Sequence, residues 1–202
     1  MFITIEGIDG AGKSTQAEKL TRWLEDFTGR KTIHTFEPGG WPDGKNFREL
    51  ILAGKNFCAM SELLLFLTDR AEHVDKVILP ELNAGHNVIC ERWNDSTLAY
   101  QSGGHKLEIS QVKKLIDACN FPKPDAKILL DISPELALTR IQARNNNDKF
   151  EAEGLKLMRS VSDFYRSNSS EFIRINCDNL DINQTFSAII TKLEALTCVQ
   201  SR

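Results

Sequence analysis

The stretch Phe2-Ile3-Thr4-Ile5-Glu6-Gly7-Ile8-Asp9-Gly10-Ala11-Gly12-Lys13-Ser14-Thr15-Gln16 decides how this chain reads. A short β-prone run ends at Gly7, and Gly7 to Ser14 fit the pattern G-x-x-x-x-G-K-[ST]. The glycines let the backbone bend until successive N–H groups point at one anion. A helix beginning there adds the positive end of its dipole. Lys13 is then placed to reach β- and γ-phosphate oxygens, and the Ser14 hydroxyl to ligate Mg²⁺. A strand before the loop and a helix after it are the context this reading requires. Ala17, Leu20, Leu24 and Phe27 supply the helical spacing, with Gly29 as C-cap.

Beyond the loop, strand-like and helix-like runs alternate. Strands are expected over 31–36, 87–91, 126–132 and 172–176 in addition to the first. A long helix is expected from Ser61, with Leu63, Leu64, Leu67, Ala71, Val74, Ile78 and Leu82 as its apolar stripe. Pro80 should kink it or mark its last turn. Ser110 is the expected N-cap of a helix reaching Cys119, and Ser133-Pro134 the cap and first position of another carrying Leu136 to Arg144. A terminal helix is expected from Ile182 to Leu196. Strands separated by helical segments imply a parallel sheet covered on both faces. Ligands of such sheets lie beyond the carboxyl ends of the strands, here just after residues 6, 36, 91 and 132.

Bulk properties narrow the function classes. The 202 residues suit one α/β domain spanning 1–202. A net charge of −3 argues against broad nucleic-acid binding, while a small anionic ligand needs only a few local cations. The five cysteines have no metal-knuckle spacing and read as reduced, mostly structural thiols. There is no signal-peptide pattern and no apolar run near the ~20 residues that span a bilayer. A cytoplasmic protein without membrane contact is expected.

The phosphate loop alone does not name the phosphoryl acceptor. No N-K-x-D pattern of a guanine reader is present. Glu91-Arg92-Trp93 follow the third strand, placing Arg92 at the sheet's carboxyl edge, and Arg48 follows the Pro38-Gly39-Gly40 turn. Phe66 and Arg70 are four apart on the long helix, so an aromatic face and a guanidinium project together. Taken singly, each has a plain structural reading: Phe66 as core, Arg92 as an ion-pair residue, Arg48 as solvated. Arg140 and Arg144 likewise share a helical face and read as a solvated helix end or as a cationic lid.

Together these segments resemble the thymidylate kinase family. The opening 2–16, Glu37-Pro38-Gly39-Gly40, Leu65-Phe66-Leu67-Thr68-Asp69-Arg70 and Glu91-Arg92-Trp93-Asn94-Asp95-Ser96-Thr97-Leu98-Ala99-Tyr100-Gln101 carry the likeness, which extends through Asp148-Lys149-Phe150-Glu151 to Tyr165. The resemblance implies a three-layer α/β P-loop NTPase fold, with a central parallel five-stranded sheet flanked by helices and a short lid near 140–151. It implies Mg²⁺- and ATP-dependent conversion of dTMP to dTDP by a homodimer whose interface includes the apolar helix Leu63 to Leu82.

Roles follow by position. Gly7, Ile8, Asp9, Gly10, Ala11, Gly12, Lys13, Ser14 and Thr15 would bind ATP, and Arg48 and Arg92 would hold the dTMP phosphate. Phe66 would stack on thymine, Arg70 would meet its polar edge, Thr97 would lie near N3, and Gln101 would complete that pocket. Tyr100 would lie under the deoxyribose, Asp9 would face the 3′-hydroxyl or the metal shell, and Glu37 would support the acceptor pocket. Ser14, Asp9 and Glu91 would form the metal side; Lys13, Arg92, Arg140 and Arg144 would be catalytic. Because position 11 is Ala rather than basic, the likeness is to members whose last cation comes from the lid. The chain departs from the family in having Glu91 for Asp, Phe36 for Arg and Trp41 for Thr or Ser. A broader deoxynucleoside monophosphate kinase and a non-catalytic nucleotide-binding module are the alternatives.

Overall fold

The computed structural model describes residues 1–53, 57–145 and 152–200, apart from the side chains of 144, 145, 152, 153 and 196–200. Five parallel strands lie in the order β2-β3-β1-β4-β5: β1 (Phe2–Glu6), β2 (Thr32–Phe36), β3 (Asn87–Glu91), β4 (Ala126–Asp131) and β5 (Ile173–Asn176). Every residue of β1 and β3 is buried, because helices cover both faces of the sheet. β1 is central, flanked by β3 and β4, and so delivers its following loop to the middle of the carboxyl edge.

Helix α1 (Lys13–Thr28) packs Ala17, Leu20 and Leu24 into the main core and ends at Gly29 in the left-handed region, as its spacing predicts. Phe27 does not join that stripe. It is 52% exposed and stacks on Trp23 with ring centroids 4.7 Å apart.

The long helix beginning near 61 is divided. Helix α3 (Ala59–His73) runs into a π-helical segment, Val74–Ile78, and then a short helix α4 (Leu79–Asn83). Pro80, which has no N–H to give, sits in the first turn of α4, where its donor is not required. The expected stripe is partly wrong: Leu63, Leu67, Val74 and Ile78 are buried, but Leu64 is 48% exposed and Ala71 faces solvent. Leu64 and Ala71 lie in α3 itself, each one residue, or about 100°, round from the buried row Leu63, Leu67 and Arg70.

Further along, α5 (Asn94–Thr97) continues into a second π-helical segment, Leu98–Gly104, and α6 (Ile109–Ala118) follows. Ser110 is not the cap of α6. Glu108 is, and its carboxylate accepts the Ser110 backbone N–H at 3.2 Å. Helices α7 (Pro134–Asn145) and α9 (Ile182–Gln200) lie where expected, whereas α2 (Gly44–Leu52) and α8 (Ala152–Ser167) were not anticipated. Both matter below, since α2 carries Arg48 and α8 carries Leu157 and Tyr165.

Candidate functional site

The loop between β1 and α1 is built on positive-φ glycines. Gly10 has φ 80°, and a Cβ there would stand 2.4 Å from the Ala137 carbonyl oxygen, so only glycine lets the loop lie against α7. Gly12 at φ 91° turns the chain into α1. Within this bend Lys13 is 7% exposed, its Nζ donating to the carbonyls of Gly7 (3.1 Å) and Ile8 (2.9 Å). Burial, aided by the neighbouring Arg92 charge, pushes the Lys13 ammonium down to about 8.

Arg92 adopts φ 67°, an uncommon conformation for a non-glycine residue. This turn at the end of β3 sends the guanidinium back across β1. Nη2 donates to Asp9 Oδ1 at 2.6 Å and to the Tyr100 hydroxyl at 3.3 Å, and Nη1 to Gly7 O and Ser96 Oγ. The guanidinium carbon is 5.0 Å from the Tyr100 ring centroid. Arg92 in turn holds the Asp9 carboxyl below its usual range, against the upward push of burial and with help from Lys13.

Two cavities meet at this arginine. One, of about 400 Å³, is lined by the loop residues with Phe36, Glu37, Arg48, Glu91 and Arg92. The other, of about 330 Å³, has mostly apolar walls and includes Phe66, Arg70, Thr97, Tyr100, Gln101 and Leu157. Asp9, Glu37, Arg48 and Arg92 line both, forming a polar wall between them. Every expected acceptor residue therefore borders the second cavity.

Each of those side chains is held in place. Arg48 Nη1 donates to Pro38 O at 2.6 Å, and its guanidinium lies 5.4 Å from the Phe36 ring centroid. Phe36, one of the family departures, thus serves as a platform for Arg48. Buried Arg70 donates through Nε to Glu37 Oε2 at 2.7 Å and through Nη1 to Asn94 Oδ1 and Thr97 Oγ1. His73 lies 3.0 Å from the other Glu37 oxygen. Glu37 is therefore held from both sides.

Several supporting residues escaped sequence reading. Asp69 accepts the Gly39 N–H at 3.0 Å and the Trp41 indole N–H at 2.8 Å, tying the Pro-Gly-Gly turn to α3. Trp41, another of the three departures, thereby anchors the turn. Glu6 is buried and accepts from Ser96 Oγ (2.5 Å) and the Tyr165 hydroxyl (2.8 Å), beneath Arg92. No local pattern announces either pairing, since the partners lie 28 to 159 residues apart along the chain.

The residues expected on the metal side, Ser14, Glu91 and Asp9, differ in their partners. Ser14 Oγ donates to Glu91 Oε2 at 2.8 Å, and Glu91 Oε1 lies 2.9 Å from His34 Nε2. Burial pushes the Glu91 carboxyl up, but these hydrogen bonds outweigh it and hold it below the usual range. Asp9 instead spends Oδ1 on Arg92. A hydroxyl and an ionised carboxylate beside a phosphate cradle form an all-oxygen donor set, which suits Mg²⁺. On the other side of the loop, a cavity of about 650 Å³ is lined by Gly10, Ala11, Gly12, Thr15, Gln16, Arg140 and residues 180–183. Arg140 thus faces the loop, while the Arg144 side chain and the remainder of the expected lid, 146–151, lie outside the described residues.

A phosphate loop joined to a second, aromatic-lined cavity by a wall bearing two arginines defines a nucleoside monophosphate kinase, a phosphotransferase of the P-loop class. The thymidylate kinase family model matches residues 5–189. Thymidylate kinases from Synechococcus sp. (strain JA-2-3B'a(2-13)) and Ectopseudomonas mendocina are 45% and 36% identical; the alignments cover 80% and 97% of this chain and 77% and 94% of theirs. The crystal structure of thymidylate kinase from Ehrlichia chaffeensis superposes with a TM-score of 0.74 at 30% identity, over 96% of this chain and 98% of that one. The chain belongs to the thymidylate kinase family.

Proposed function

We propose that the chain transfers the γ-phosphoryl group of ATP to dTMP, giving dTDP and ADP, as one kinase domain spanning 1–202. The observation that carries this is the common wall of Asp9, Glu37, Arg48 and Arg92 between the two cavities. Two phosphate-bearing ligands placed on opposite sides of it present their phosphates to the same cations.

The loop N–H groups and Lys13 hold the ATP phosphates, Arg48 and Arg92 hold the dTMP phosphate, and Phe66 stacks on thymine. Arg70 donates to the base edge, with Thr97 and Gln101 beside it and Tyr100 under the sugar. A dTMP phosphate oxygen attacks the γ-phosphorus in line, the bond to the bridging oxygen of ADP breaks, and ADP departs with that electron pair. The acceptor phosphate is already largely ionised, so a strong base is not needed; alignment, offset of repulsion and exclusion of water are. Lys13 and Arg92 exchange the protein oxygens they hold here for phosphate oxygens, and Arg140 and Arg144 bring further charge from the lid. Ser14 and Glu91 would hold Mg²⁺, with Asp9 nearby; when bound, the ion neutralises phosphate charge.

No described helix is long and apolar enough to cross a membrane. The cytoplasm is the proposed compartment and a homodimer the proposed assembly. The assembly is supported by Leu64 and Met60, which are 48% and 36% exposed on α3. A coupled ADP-release assay with dTMP, dUMP, dCMP and dGMP tests the function. Highest kcat/KM is expected for dTMP; a purine preference would refute the reading.

A further inference from the structure

We infer that Glu62 sets which pyrimidine the second cavity accepts, by fixing the orientation of the Gln101 side-chain amide. This rests on the reading of that cavity as a pyrimidine monophosphate site.

Glu62, Phe66 and Arg70 lie four residues apart on α3, so all three face the cavity and line it. Gln101 comes from the π-helical segment Leu98–Gly104 and is fully buried in the cavity wall. Its Nε2 donates to Glu62 Oε1 at 3.2 Å. Its Oε1 is buried and has no hydrogen-bond partner among the described residues. A buried amide oxygen left in that state is costly, and a ligand donor is the natural way to satisfy it.

An amide can turn over and exchange its oxygen for its nitrogen, so the pattern it shows depends on its neighbours. Glu62 decides it, because an ionised carboxylate only accepts and therefore draws Nε2 towards itself. Gln101 is then obliged to offer an acceptor elsewhere. Arg70, across the same cavity, is donor-only. A donor beside an acceptor is the complement of thymine, whose O4 accepts and whose N3–H donates. Cytosine carries the reverse pattern, an amino donor next to a bare N3 acceptor, and would meet donor with donor and acceptor with acceptor. Glu62 need not touch the base, and it acts as a positioning residue.

The test measures kcat and KM for dTMP and dCMP in the full chain, wild type, Glu62→Gln and Glu62→Leu, with thermal unfolding alongside. Glu62→Leu frees the amide to turn, so KM for dTMP should rise and the preference for dTMP over dCMP should fall about tenfold. Glu62→Gln keeps the shape but offers either group, and should fall between wild type and Glu62→Leu. A merely structural role would weaken both substrates in proportion and leave the preference unmoved. That result, or an unchanged preference in both variants, overturns the inference while leaving the dTMP assignment standing. A wild-type enzyme with no preference for dTMP over dCMP overturns the assignment and the inference together.

Discussion

The phosphate loop and the second cavity are built from opposite materials. Residues 7–14 are contiguous, and backbone conformation does the work, set by glycines at positive φ with α7 packed against Gly10. The second cavity gathers side chains from the ends of β2 and β3, from α2 and α3, and from the π-helical segment after α5. Contiguity makes the first a motif that local rules can read. Dispersal makes the second depend on the fold and on hydrogen bonds such as Arg70–Glu37 and Asp69–Gly39.

If this contrast holds, damage to the cations proposed to meet the transferred phosphoryl group, Arg92 of the common wall and Lys13 of the loop beside it, should be most severe, and damage to a side chain proposed to touch one substrate alone should be confined to that substrate. Lys13→Ala and Arg92→Ala should each lower kcat by about 10²–10³, the usual cost of removing a donor aimed at developing charge. Near-normal turnover in folded protein, measured by coupled ADP release, would break the assigned roles. Phe66→Ala should raise KM for dTMP about 30-fold, as expected of a stacked base worth ~2 kcal/mol, and leave KM for ATP nearly unchanged. An unaltered dTMP KM would return Phe66 to the core.

Lys13 supplies a pH test confined to the loop. Its folded value of about 8 lies below its ordinary 10.5, so free enzyme sheds this charge as pH rises through about 8. kcat/KM for ATP should therefore be about tenfold lower at pH 9 than on its neutral plateau. Stability carries the opposite sign. Between about 8 and 10.5 the unfolded chain holds the Lys13 proton and the folded chain does not, so this group favours folding more as pH rises, readable by denaturant titration. The smallest effect is expected from Trp41→Phe. It removes one donor to Asp69 and should cost about 1 kcal/mol in folding or a few-fold in dTMP KM.

The same contrast explains what the sequence made legible. Each of the five strands was placed within a residue or so at either end, because runs buried on both faces are apolar throughout and stop at turn residues. The loop was read from its pattern alone. The residues that line the second cavity were grouped only through family resemblance, since Phe66 taken singly looks like core and Arg48 like a solvated cation. Hidden altogether were α2, a nine-residue helix close behind a glycine-rich turn, and the π-helical segments, whose hydrogen bonds span one residue more than those of an α-helix without any change of composition. His34 behind Glu91 and Glu6 beneath Arg92 were also unforeseen, because burial and pairing across the sheet give no local signal.

Arg92 faces both cavities at once, and thermodynamics then constrains how the two substrates treat each other. A bound monophosphate that draws the guanidinium away from Asp9 changes the charge that an incoming triphosphate meets. Whatever factor this imposes on affinity for the triphosphate, the triphosphate must impose equally on the monophosphate. Order of addition at equilibrium is therefore immaterial, and a single coupling constant, obtainable by titrating either nucleotide against the other, characterises the pair.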